Sequence, residues 1–169
     1  MNRTSKNMAN PLYINFSCPT KLYLRKFLEF DLPASNVADQ RTLLGQTLVT
    51  QIERSKTSYY QFFADDDYDT DFNSHISCKL PYWYMERMGL KLDEHHIIFL
   101  NNLWTHQFFQ QAHCAFDVAY NLSHGRFTYR QMIDEFLDRY NIVEEELSYS
   151  TVRKRYQRYK EWLEKNEKR

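Results

Sequence analysis

Residues that punctuate or staple folds are scarce here: three glycines, four prolines and three cysteines in 169 residues. So few turn formers exclude a turn-rich sandwich or barrel, and the scattered Gly45, Gly89 and Gly125 cannot make a glycine-rich phosphate loop. Cys18, Cys78 and Cys114 are odd in number and lack CxxC spacing, which fits reduced thiols packed as small hydrophobes. Only geometry can decide whether Cys18 and Cys78 pair. The six histidines form neither an HExxH pair nor a mixed His/Cys set, so no metal site and no cofactor are expected. A GxSxG elbow is missing too, and the chain is not expected to be an enzyme. No apolar run approaches the ~20 residues of a membrane span. Met1 to Lys6 lacks an apolar stretch behind its charges, so the expectation is no secretory signal and an intracellular protein.

What the chain does hold is aromatic: 13 Tyr and 12 Phe, with 17% aromatic residues overall, in periodic clusters that favour helices around a bulky core. Residues 1 to 10 read as a mobile polar tail, and residues 11 to 169 as a single helical domain. Leu12, Ile14 and Phe16 alternate with Tyr13, Asn15 and Ser17, the period of a half-buried strand. Ile76 lies before Pro81 as Ile14 lies before Pro19, so a second strand near 74 to 80 is expected to pair with the first. Each proline should open a helix: one from Pro19 to about Phe30, the other from Tyr82 to Met88, stopped at Gly89. A further helix is expected over Asn36 to Ser55, where Tyr59, Tyr60, Phe62 and Phe63 either continue it or form a separate element.

The longest helix should run from a cap at Asp93 to Gly125, with Leu100, Trp104, Phe108, Ala112 and Leu122 on its stripe and more than half its circumference apolar. It is therefore the central helix. Thr128 and Gln131 have capping-box spacing for the next one, which Asn141 ends. The fold expected is mainly α, about six helices around the long one, with a minor two-stranded β ribbon.

Function is sought where charge is uneven. Formal net charge is zero. Yet the last helix, about Tyr149 to Lys165, carries Arg153, Lys154, Arg155, Arg158, Lys160 and Lys165 against Glu161 and Glu164. At 100° per residue Val152, Tyr156, Tyr159 and Leu163 share one face. Lys154, Arg158 and Lys165 fall opposite, flanked by Arg153 and Arg155. One side would dock and the other meet phosphate. Residues 127 to 165 thus have the layout of a helix-turn-helix, with Tyr149 and Ser150 at its tip and duplex DNA as the expected partner. An ordinary solvated surface helix explains the same charges. Met1 to Leu28 holds no acidic residue while Arg3, Lys6, Lys21, Arg25 and Lys26 are cationic, an arrangement that also suits a DNA-binding arm.

Asp65, Asp66, Asp67, Asp69 and Asp71 form an acidic loop whose EF-hand likeness fails, because Thr70 and Ile76 stand where glycine and glutamate are needed. A loose cation site and a surface for a protein partner are the two uses such a loop could have. The ending, Asp134-Glu135-Phe136-Leu137-Asp138-Arg139-Tyr140-Asn141-Ile142, then Glu145-Glu146-Leu147-Ser148-Tyr149-Ser150-Thr151-Val152 and a basic Tyr-rich helix, resembles small proteins of bacteriophages and mobile elements of intestinal bacteria. The resemblance covers about 40 residues, carries no catalytic motif, and implies an accessory or regulatory role around DNA. A bacterial cytoplasm or a phage particle would be its location. The competing class is a non-enzymatic protein-interaction protein, such as a phage structural subunit or an inhibitor of a host protein, with Tyr and Trp side chains as anchors. Self-association is left open.

Overall fold

The computed structural model describes residues 12–54, 71–83 and 94–167. The N-terminal tail, Tyr59 to Phe63, Asp65 to Thr70, most of the expected helix after Pro81, Gly89 and the Asp93 cap lie outside them. Among the described residues the chain is mainly helical, with five helices and one two-stranded sheet: β1 (Tyr13–Thr20), α1 (Leu22–Glu29), α2 (Leu43–Arg54), β2 (Ser74–Pro81), α3 (Glu94–Leu122), α4 (Tyr129–Arg139) and α5 (Tyr149–Glu167).

The strands pair antiparallel, with Phe16 opposite Cys78 and Cys18 opposite Ile76. Phe16, Cys18, Ile76, Cys78 and Leu80 all face the core, as the period of two requires. Cys18 and Cys78 are free thiols, and burial pushes both up to about 12. One expectation is corrected here. Pro19 does not open a helix; it sits inside β1 opposite His75, and the helix begins three residues later. Its carbonyl accepts from Asn101 Nδ2 at 2.9 Å, so this residue's backbone polar side faces α3 and not β2. The missing N–H therefore costs no ladder hydrogen bond, a condition under which a strand accepts proline. In place of a capping side chain on Lys21, Asn73 accepts from Leu22 N at 2.9 Å.

The start of the second helix is also corrected, from Asn36 to Leu43. Asn36 is left-handed at φ 54°, and Val37 bridges Lys79 in parallel, with Lys79 N donating to Asn36 O at 2.7 Å and Ala38 N to Lys79 O at 2.9 Å. The segment is drawn off the helix because it satisfies the outer edge of β2. Helix α2 then starts where Thr42 Oγ1 accepts from Gly45 N and Asp31 accepts from Leu43 N. Gly45 is obligatory there: an added Cβ would lie 1.8 Å from Asp39 O.

Helix α3, 29 residues and about 43 Å long, is the axis, as its sequence pattern predicts, except that Leu122 at the end of the expected stripe is exposed. Trp104 is fully buried and donates from Nε1 to Thr47 Oγ1 of α2 at 3.0 Å. Asn101, buried on the same helix, donates to Pro19 O and Ile97 O and accepts from Thr20 Oγ1 at 2.6 Å. Phe108 is touched by the rings of Tyr23, Phe27, Phe109 and Phe136, all edge-on at 5.2 to 5.5 Å between centroids. Helix α4 has the expected capping box between Thr128 and Gln131, and Asn141 terminates it at φ 54°.

Replacing Trp104 by Ala should lower stability by about 3 to 5 kcal/mol, the transfer and cavity terms of a fully buried indole, with the hydrogen bond that Thr47 Oγ1 accepts lost in addition while its bond to Leu44 O remains. Chemical denaturation showing a loss below ~1 kcal/mol would mean α3 is not the axis of the core.

Candidate nucleic-acid interface

Helix α5 is held by its apolar side. Val152 is fully buried and Tyr156 nearly so, while Tyr159 and Leu163 are half-buried. The Tyr156 ring meets Phe116 edge-on at 5.2 Å and Tyr129 at 5.8 Å, tying α5 to α3 and α4. Its hydroxyl donates to Asp117 Oδ1 at 2.6 Å, and Lys160 Nζ reaches the same oxygen at 3.4 Å. Burial and that carboxylate raise the phenol, which stays protonated as a donor.

The amino end of α5 is fixed from outside the helix. Glu144 accepts from Tyr149 N at 3.1 Å, and Ser148 Oγ accepts from Thr151 N at 3.3 Å. Glu146 pairs with Lys26 Nζ at 2.6 Å, and the same ammonium donates to Asn141 O at 2.6 Å. The connection between α4 and α5 is thereby tied to α1. It runs from residue 140 to 148, longer than the three or four residues of a compact helix-turn-helix.

Placement differs among the residues singled out from sequence. Arg153, Lys154 and Arg158 are exposed and, among the described residues, form no ion pair. Ser150 is exposed beside them, its hydroxyl 3.0 Å from that of Ser148. Arg155 is half-buried, with its guanidinium 4.5 Å from the Phe109 ring centroid. Tyr149 is half-buried under Arg130, whose guanidinium lies 4.7 Å from its ring centroid. Of the amino-terminal cations, Arg25 pairs with Glu29 and Lys26 with Glu146, so both are occupied within the fold.

The sequence alone gives His113 no role among the six histidines. Its ring stacks on Tyr159 at 4.5 Å and 20°, and its buried Nε2 has no hydrogen-bond partner. Burial foremost lowers its pKa from the ordinary 6.5 to about 4, with Arg155 and His106 acting in the same direction and Asp117 opposing. The position of His113 one helical turn before Asp117 and two before Tyr120 gives no hint of this; the signal lies in α5 packing across it.

No group of His, Cys, Asp and Glu that could hold a metal occurs among the described residues. No helix among them is long and apolar enough to cross a membrane. No protein-family model, curated protein or solved structure matches the chain.

Because the folded chain keeps His113 neutral while the unfolded chain protonates it below about 6.5, the unfolded state binds more protons in that interval. The stability tied to neutral His113 is thus present above pH 6.5 and drains away as pH falls towards 4. Thermal melts should show the wild type losing more Tm than His113→Gln between pH 7 and 5, a span chosen to lie above most carboxylate titration. Equal losses would contradict the assignment.

Proposed function

We propose that this chain is a DNA-binding accessory or regulatory protein, and that the outward face of α5 is its phosphate-binding surface. One observation carries the reading: Arg153, Lys154 and Arg158 stand exposed and, among the described residues, without an ion pair, on a chain of zero net charge. Four carboxylates of the surrounding elements have other partners. Glu144 serves Tyr149 N, Glu146 serves Lys26, Asp117 serves Tyr156 and Lys160, and Asp134 serves Arg130. Lys160 of the same helix is paired with Asp117, whereas Arg153, Lys154 and Arg158 have no ion pair among the described residues. Backbone-directed binding needs such charges on a rigid element.

The surface is centred on the middle of α5, with Ser150 at its edge. Tyr149 lies beneath Arg130 and Arg155 over Phe109, contacts that steady the helix. The pair α4 and α5 keeps the order of a helix-turn-helix with a longer connection. The likeness of the last 40 residues to small phage and mobile-element proteins points the same way. Exposed Val118 and Leu122, one turn apart near the end of α3, favour a second reading as a protein-interaction protein, where that apolar patch would be covered by a partner.

Changing Arg153, Lys154 and Arg158 together to Gln should leave the melting curve intact, since all three are exposed. The slope of log affinity for duplex DNA against log salt should shrink by roughly 0.9 per lost phosphate contact. An unchanged slope and affinity would remove DNA binding as the function and leave the interaction reading.

A further inference from the structure

Between α3 and α5 lies a cleft of about 510 Å³, within the roughly 300 to 1,000 Å³ of small-molecule sites. Phe109, Tyr159 and Trp162 give it flat aromatic walls, Arg155 and Arg158 stand on its α5 side, and His113 lines it from α3. No carboxylate lines it. Trp162 is 59% exposed although large and apolar, and the buried Nε2 of His113 lacks a partner. A buried polar atom without a hydrogen bond is uncommon and costs stability unless something supplies the bond.

These features select a ligand with three properties at once. It is flat, so that it can lie on aromatic faces. It is anionic at one end, facing two guanidiniums. It carries a polar atom on the edge of its flat part, for the unpartnered Nε2 of His113. An apolar peptide lacks the charge, and a bare phosphate lacks the ring. A nucleotide has all three, and Arg158 belongs both to the cleft and to the outward face of α5. We infer that the α3–α5 cleft binds an unpaired nucleotide of the bound nucleic acid, its base between the aromatic side chains and against His113, its phosphate on Arg155 and Arg158. The inference rests on the DNA reading and deepens it: unpaired ends or single strands become the preferred ligand, because a base inside a duplex must first be unstacked.

Cys114 provides a reporter, since it is exposed and lines the cleft while Cys18 and Cys78 are buried. The full chain would be alkylated with N-ethylmaleimide alone, with an oligothymidylate of roughly ten nucleotides, with blunt duplex DNA, and with thymidine monophosphate. Binding of each DNA would be followed by anisotropy for wild type and Trp162→Ala. The oligothymidylate should slow alkylation of Cys114, and Trp162→Ala should weaken its binding fivefold or more, the low end for a lost base stack. Affinity for the blunt duplex should be unchanged by that variant. Chain pre-alkylated at Cys114 should lose single-strand affinity in the same way, a check that needs no substitution and so no refolding.

Single-strand binding that leaves Cys114 equally reactive, or that Trp162→Ala does not weaken, overturns the inference. So does protection by thymidine monophosphate at the oligonucleotide's own affinity, which would make the cleft a free-nucleotide site. Duplex binding with a normal salt slope and no protection removes the cleft and keeps the DNA surface. Protection by single strands without duplex binding does the reverse.

Discussion

A continuous set of ring contacts carries the α5 surface. It starts at Tyr23 and Phe27 of α1, passes through Phe108 of α3 to Phe136 of α4, returns to Phe116 of α3 and ends on Tyr156 of α5. The interplanar angles along it, 69° to 85°, are edge-to-face, the arrangement that places a ring's positive rim on its neighbour's negative face. Such contacts add roughly 0.5 to 1.5 kcal/mol each beyond burial. More to the point, they fix rotation. Helix α5 can present Arg153, Lys154 and Arg158 outward only while Tyr156 and Val152 point inward, and Tyr156 is held at its ring by Phe116 and at its hydroxyl by Asp117.

Electrostatics complete what packing begins. Ion pairs at the surface contribute little to stability, so their role here is better seen as allocation. Lys26 takes Glu146, Arg130 takes Asp134 and Lys160 shares Asp117 with a tyrosine, which leaves Arg153, Lys154 and Arg158 in the middle of α5 without an ion pair among the described residues. The His113–Tyr159 stack adds a second constraint, because a protonated imidazole in that position would carry charge beside Arg155. The same packing that seats the basic helix also opens the aromatic cleft beside it.

Much of the architecture was legible in sequence because it follows from period and cap alone. The alternation around Ile14 and Phe16, the stripe through Trp104 and Phe108, and the Thr128 and Gln131 box each depend on residues within a few positions of one another. The misreadings share one cause, namely a distant partner. Pro19 stays in a strand because its polar backbone side faces Asn101, and Asn36 leaves the helix because Lys79 takes its carbonyl. At the candidate site, the charge of α5 and its apolar side were legible, but the stacking of Arg155 on Phe109, the capping of Tyr149 by Glu144 and the unpartnered nitrogen of His113 were not. Each arises from elements brought together only in the fold, and a helical wheel of α5 holds no information about them.

Side-chain chemical shifts of the arginines, lysines and tryptophans, followed as DNA with an unpaired end is added, bear most directly on this account. The prediction is that the Arg153, Lys154 and Arg158 signals and the Trp162 indole move together and saturate, while the buried Trp104 indole stays in place. Perturbations confined to the β ribbon or to the Val118 and Leu122 patch, with α5 silent, would contradict it.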